Sequence, residues 1–168
     1  MQEKQDNNHD KVMETVGRFS DPVSLRNKLI FASMYIAVFE CFKGWMVENV
    51  KYLYWSGFEN GKDIFRGYDE NVLSKVKKNS HQVINGTLFW LMNCGAISMT
   101  EKSNFVKYTD IRNDFGHEMF GSIISGDIPQ ENYESYYDML ALFRKVVLWW
   151  INEIEIPTND MPDGCNLG

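Results

Sequence analysis

Apolar residues that recur at helical spacing constrain this chain more strongly than any other feature. The first such run follows Asp21 and Pro22, where Asp21 can cap a helix and Pro22 fits its first turn. An interval of three or four residues is the spacing of one buried helical face. The sequence therefore predicts a long first helix that starts at Ser20-Asp21-Pro22 and buries Leu25, Leu29, Ala32, Ile36, Phe39, Met46 and Val50.

A second periodic segment, from about Glu70 to Cys94, predicts the second helix, with Gly86 as a point where it weakens or kinks. The stretch Tyr54–Tyr68 carries glycines among polar residues, which predicts a loop with at most one helical turn. Asn85-Gly86 is a dipeptide typical of hairpin turns, but it falls inside the helical pattern. Alternating strand patterns bounded by such turns are largely missing, which favours a helical bundle.

The third and fourth helices are predicted from a capping motif and from a renewed apolar period. Ser98-Met99-Thr100-Glu101 has the reciprocal Ser-x-x-Glu arrangement of a helix start, and an apolar stripe follows it. Gly121–Pro129 is a turn-rich connection that leads into the fourth helix. The third-helix stripe is Phe105, Tyr108, Ile111 and Phe115, and the fourth-helix stripe is Tyr133, Tyr136, Tyr137, Leu140, Phe143, Val147, Trp150 and Ile151.

Together these patterns predict an all-α fold, an up-and-down bundle of four main helices with short extra helical turns. A chain of 168 residues is long enough for one domain with a hydrophobic core. We expect residues 1–19 to form a flexible N-terminal arm, residues 20–156 the bundle, and residues 157–168 a polar C-terminal tail.

The composition disfavours several classes of protein. Three scattered cysteines and three scattered histidines offer no zinc-binding spacing, so neither a metal nor a cofactor is expected. The polar N-terminus lacks a signal peptide, and no segment reaches the roughly 18 uncharged apolar residues of a membrane span. We therefore expect a cytoplasmic protein without membrane contact. A net charge of -6 opposes broad attraction to nucleic acid, so any such site must be local.

The segment Arg112-Asn113-Asp114-Phe115-Gly116-His117 on the third helix is the candidate catalytic site. Histidine exchanges a proton near neutral pH, and arginine holds two phosphate oxygens in its planar fork. Such a pair can cleave RNA without a metal and leave a 2′,3′-cyclic phosphate. Five residues along an ideal helix advance the side-chain direction by about 500°, which leaves Arg112 and His117 about 140° apart. Either a bend near Gly116 or a dimer interface must bring the two side chains together.

On these residues the chain resembles the HEPN family (higher eukaryotes and prokaryotes nucleotide-binding domains). Members are helical bundles marked by an arginine, a following polar residue and a nearby histidine, which correspond here to Arg112, Asn113 and His117. The order of elements over residues 21 to 155 is also similar, including an acidic residue, Glu40, on the first helix. The resemblance implies a metal-independent endoribonuclease that acts on RNA as a homodimer, in a toxin–antitoxin, abortive-infection or other antiviral system, with a cognate antitoxin as a further partner.

By the same resemblance Arg112 binds the phosphate, His117 acts as acid or base, and Asn113 orients one of them. Two other functions remain open: a non-catalytic HEPN-like module that binds RNA, a nucleotide or a protein, and a purely structural helical interaction protein. In the last case Arg112 is a surface residue and His117 a helix-terminal one. The group Lys75, Lys77 and Lys78 is either a solvated face or a guide for RNA.

Overall fold

The computed structural model describes residues 21–117 and 127–159. The predicted N-terminal arm, most of the connection Gly121–Pro129 and residues 160–168 of the predicted tail lie outside the described residues. The main elements, in chain order, are α1 (Pro22–Tyr52), β1 (Trp55–Glu59), β2 (Lys62–Phe65), α2 (Tyr68–Asn71), α3 (Gln82–Asn93), α4 (Met99–His117), α5 (Gln130–Trp150) and α6 (Ile156–Asn159). The all-α prediction is confirmed, with one small two-stranded sheet added to it.

Helix α1 begins where the sequence predicts. The Asp21 carboxylate accepts hydrogen bonds from the backbone N–H groups of Val23 and Ser24, at 3.1 and 3.2 Å. These two donors have no partner within the helix, so the cap stabilises its first turn. The buried face differs in part from the predicted one, because Leu29 is 36% exposed. The residues that α1 buries are Ala32, Tyr35, Phe39, Phe42, Met46 and Val50.

By length and composition, α1 alone among the described helices could cross a membrane. Core helices of soluble proteins meet the same criterion, and α1 packs its aromatic residues against other rings of the protein. The Phe42 ring stacks on Phe143 with centroids 4.7 Å apart, and it meets Phe105 edge to face at 5.7 Å. These contacts are those of a core helix.

The prediction of a loop over Tyr54–Tyr68 is wrong, because β1 and β2 form an antiparallel hairpin there. Its two-residue turn is Asn60–Gly61, and both residues have positive φ, 52° and 74°. Asn-Gly is the sequence that such a turn favours, since both residues tolerate the left-handed region. The hairpin signal was therefore present in the chain, at Asn60–Gly61 and not at Asn85–Gly86.

The predicted second helix is interrupted. Helix α2 covers four residues, a 3-10 turn spans Leu73–Lys75, and α3 begins only at Gln82. Gly86 lies within α3 and is buried, where it packs against the backbone of Val72. The predicted second helix is interrupted before α3 begins, so the interruption is not a kink at Gly86.

Helix α4 starts with the predicted capping box. The Glu101 carboxylate accepts the Ser98 N–H at 2.7 Å, and the Ser98 hydroxyl accepts the Glu101 N–H at 3.2 Å. The predicted apolar stripe of α4 is confirmed, because Phe105, Tyr108, Ile111 and Phe115 are all buried.

The fourth predicted helix corresponds to α5, but its buried stripe is shifted from the predicted one. Tyr137 is 68% exposed, and the residues that α5 buries are Ser135, Tyr136, Met139, Leu142, Val146 and Trp150. A π-helical turn, Ile151–Glu155, follows, and α6 then extends to Asn159. Helical structure thus covers the first residues of the segment predicted as a tail.

The described residues group into two compact units. The first comprises residues 21–40, 107–117 and 127–137, and its core is a cluster of the rings Phe31, Tyr35, Phe115, Tyr133 and Tyr136. The second comprises residues 41–106 and 138–159 and includes the hairpin and a tryptophan cluster of Trp45, Trp90, Trp149 and Trp150. The candidate catalytic segment lies wholly in the first unit.

Candidate active site

The ring cluster of the first unit anchors α4 just before its last described turn. Phe115 meets Phe31 and Tyr35 edge to face, with centroids 6.0 and 5.4 Å apart. The Tyr35 hydroxyl lies 3.2 Å from the buried hydroxyl of Ser135. Burial raises the pKa of Tyr35, partly offset by this hydrogen bond. A packed aromatic core therefore fixes the position of α4 at the residues next to Phe115.

Arg112 is oriented by two partners within this unit. Its Nη2 forms an ion pair with Glu40 Oε1 on α1 at 2.8 Å, and its Nη1 donates to Asn113 Oδ1 at 3.2 Å. Its Nε is enclosed and makes no hydrogen bond among the described residues. About a third of the side chain, 31%, is exposed. The guanidinium is thus fixed in direction, while about a third of the side chain remains exposed.

Gly116 leaves room beside this guanidinium. A Cβ at position 116 would lie 3.6 Å from Arg112 Nη1, at ordinary van der Waals distance. The two residues are one helical turn apart, so the Arg112 side chain extends along α4 toward its last described turn.

His117 is exposed, and it lies in the same continuous helix as Arg112. Gly116 is helical and does not have the positive φ that marks the glycines of turns in this chain. The helix therefore continues through Gly116 to His117. On a regular helix the two side chains leave the axis about 140° apart.

The remaining residues of the segment have distinct environments. Asn113 is half-buried and accepts the hydrogen bond from Arg112, as expected for an orienting residue. Asp114 is exposed, as is Asp110 one turn earlier. Both carboxylates offset part of the positive charge that Arg112 contributes to this stretch of α4.

The pairing of Glu40 with Arg112 is the contact that sequence reasoning did not identify. The family resemblance singled out Glu40 but assigned it no role. No local spacing links residues so distant in the chain, because their proximity depends on how α1 packs against α4 within this unit.

Among the described residues, no group of three or more His, Cys, Asp or Glu side chains is placed to hold a metal ion.

An apolar groove of about 480 Å³ lies on the first turns of α1, and neither Arg112 nor His117 contributes to it. Its lining residues are Pro22, Leu25, Arg26, Leu29, Ile30, Ser33 and Met34. The candidate catalytic residues are therefore not part of this concave surface.

Comparisons of the chain with protein-family models, with curated proteins and with solved structures find no match.

Proposed function

We propose that this protein is a metal-independent endoribonuclease of the HEPN type that acts as a cytoplasmic homodimer. The observation that supports this function best is the arrangement on α4, where an oriented, partly exposed Arg112 precedes an exposed His117. A fixed guanidinium binds phosphate with little loss of side-chain freedom, because Glu40 and Asn113 already hold its direction.

The reaction is an intramolecular transesterification. His117 removes the proton of a ribose 2′-hydroxyl, whose oxygen attacks the adjacent phosphorus and displaces the 5′-oxygen of the next nucleotide. Arg112 offsets the negative charge that develops on the non-bridging phosphate oxygens. A proton is returned to the leaving oxygen, and the products are a 2′,3′-cyclic phosphate and a 5′-hydroxyl.

A second copy of the chain supplies the missing geometry. Because residues five apart on an ideal helix point about 140° apart, we expect that a single chain does not direct both Arg112 and His117 at one phosphate. In a twofold dimer the same surface of each copy meets the other, so Arg112 of one chain can face His117 of its partner. Two such composite pairs form per dimer.

The activity is tested by incubating purified protein with mixed cellular RNA in the presence of EDTA. We expect cleavage that Arg112→Ala reduces by about 10²- to 10³-fold and His117→Ala by about 10²- to 10⁴-fold. The matched controls are Arg144→Ala and His81→Ala, since both side chains are exposed and lie outside the site. Intact RNA in all reactions, or equal cleavage by all variants, contradicts the proposal.

The composite pair is tested by mixing two inactive variants. Arg112→Ala retains His117, and His117→Ala retains Arg112, so a mixed dimer holds one complete pair contributed by both chains. With random exchange, half of the dimers are mixed, and we expect about a quarter of the wild-type activity to return. No recovery after verified subunit exchange shows that the cooperating residues come from one chain.

The biological setting we propose is a toxin–antitoxin or antiviral system, with a cognate antitoxin as partner. Expression in bacteria is expected to arrest growth, and His117→Ala is expected to relieve the arrest. The runner-up function is a non-catalytic module that binds RNA, a nucleotide or a protein, and the Glu40 ion pair favours it because a bound phosphate must compete with that carboxylate. Binding without cleavage, weakened by Arg112→Ala, identifies the runner-up.

A further inference from the structure

The apolar groove on the first turns of α1 is an exposed surface with apolar side chains next to one another. Three of its lining residues, Leu29, Ile30 and Met34, are 36%, 46% and 47% exposed. They lie on the side of α1 away from the buried Ala32 and Tyr35. Single apolar residues on a surface are ordinary, whereas a continuous apolar surface marks a place where another segment packs.

The chain that precedes α1 has its own apolar residues close to this groove in sequence. Between residues 2 and 20, the apolar residues are Val12, Met13, Val16 and Phe19. Intervals of four and three residues separate Val12, Val16 and Phe19, and this spacing predicts one apolar helical face. A segment with one apolar face is the kind of chain that packs into an apolar groove.

The length of this segment matches the length of the groove. Residue 20 is joined to Asp21, next to the near end of the groove at Pro22, and the lining extends to Met34. The helix rises about 18 Å between Pro22 and Met34. Residues 12–20 reach up to about 30 Å when extended, so they can cover the whole groove once the chain reverses direction. Gly17 is the residue of this segment that most easily permits such a reversal.

Covalent attachment favours this segment over a separate molecule. A segment joined by a short connection is present at an effective concentration in the millimolar range. A second copy of the protein has to reach the same concentration in free solution before it competes equally for the groove. The segment that precedes α1 is therefore the occupant that the connectivity favours.

We propose that residues 12–19 dock into the groove on the first turns of α1 through Val12, Met13, Val16 and Phe19. Docking removes apolar side chains of both surfaces from water, which is the driving force for their association. The proposal goes beyond the proposed function and does not depend on it, because neither Arg112 nor His117 lines the groove. The predicted flexible arm is then confined to residues 1–11.

The docked state is tested by limited trypsin digestion of the full chain, with fragments identified by mass spectrometry. Trypsin cleaves after Lys4 and after Lys11, and only the second bond adjoins the docked segment. Cleavage of a protected bond follows the population of the undocked form. We expect Ile30→Asp, which places a charge in the groove, to raise the rate after Lys11 about tenfold relative to the rate after Lys4. The matched control is Val106→Asp, because Val106 is 60% exposed on α4.

A reciprocal substitution in the segment tests the contact itself. Val16→Asp is expected to raise the rate after Lys11 as Ile30→Asp does, whereas Thr15→Asp adds the same charge at a polar position and is expected to have little effect. The double variant of Val16 and Ile30 is expected to be cleaved no faster than either single variant, because each substitution alone already undocks the segment.

Each other outcome overturns the proposal. If Ile30→Asp leaves the rate after Lys11 unchanged, the segment is not docked in the groove. If Val106→Asp raises that rate equally, the effect is a general loss of stability. If the effects of the two single substitutions multiply in the double variant, the segment and the groove are not in contact. If Ile30→Asp only converts a dimer to a monomer in sedimentation, the groove is an interface between copies.

Discussion

Replacing Gly86 with alanine is expected to lower the free energy of unfolding, although alanine is the better helix former. Gly86 is buried in α3, and a Cβ there would lie 2.8 Å from the carbonyl oxygen of Val72 and 3.1 Å from its Cγ1. Alanine gains about 1 kcal/mol over glycine inside a helix, whereas overpacking costs about 1–3 kcal/mol. The obstructing oxygen belongs to the backbone and cannot rotate away, so we place the cost near the top of this range. The net loss is then about 1–2 kcal/mol.

Gly44 provides the matched control for this substitution. It lies within α1, and a Cβ at that position would meet no atom within 4 Å. Gly44→Ala is therefore expected to stabilise the protein by up to about 1 kcal/mol. Urea unfolding followed by far-UV circular dichroism measures both variants, and the comparison requires an unchanged m value. If Gly86→Ala is as stable as the wild type, the close packing of α3 on Val72 is refuted.

Two further predictions concern the ends of α4. Burial acts to raise the pKa of Glu101, but hydrogen bonds from Lys145 and at Ser98 outweigh it and lower the pKa below 4.5. A lowered pKa in the folded state contributes stability that is present above pH 4.5 and is lost as the pH falls through the folded-state pKa. Glu101→Gln should therefore be less stable than wild type at pH 7, and the difference in urea midpoints should shrink as the pH falls through the folded-state pKa of Glu101; a constant difference contradicts this. Gly116→Ala should retain the proposed RNA cleavage and stabilise the helix, because its Cβ fits at 3.6 Å from Arg112 Nη1. Loss of cleavage in a folded variant would show that the helix must bend at this glycine.

The parts of the fold that were predictable are those determined by local chemistry. Asp21 and Ser98 begin α1 and α4 as predicted, because a capping side chain reaches only the first turn of its own helix. The apolar stripe of α4 is also correct, since Phe105 and Phe115 lie on one face at helical spacing. Such signals need no knowledge of the rest of the chain.

The sequence-based predictions are wrong where two local signals compete, or where packing between elements decides which residues are buried. The dipeptide Asn60–Gly61 is a hairpin signal, but its flanking residues do not alternate cleanly because the bulge at Gly57 disrupts the period of two. Helix α5 has apolar residues on more than one face, so its sequence alone does not distinguish the exposed Tyr137 from the buried Met139. Only the neighbouring elements determine which of these faces is buried.

The candidate site shows the same difference between local and long-range information. Arg112, Asn113 and His117 were identifiable because they are adjacent in the sequence and of suitable chemical type. The contact of Arg112 with Glu40 was not, since no periodicity relates a residue of α1 to a residue of α4. In the proposed reaction this contact has two opposite effects: a guanidinium paired with a carboxylate attracts a phosphate less strongly, but it is already oriented.

That balance bears on the dimer that we propose. Glu40 is paired with Arg112, and Asp110 and Asp114 are exposed on α4, so acidic side chains offset the charge of Arg112 within one chain. In that dimer, His117 of a second copy meets Arg112 of the first at one phosphate, and each of the two composite pairs carries one guanidinium and one imidazole. Subunit mixing tests this arrangement, because it restores cleavage only if the two cooperating residues come from different chains.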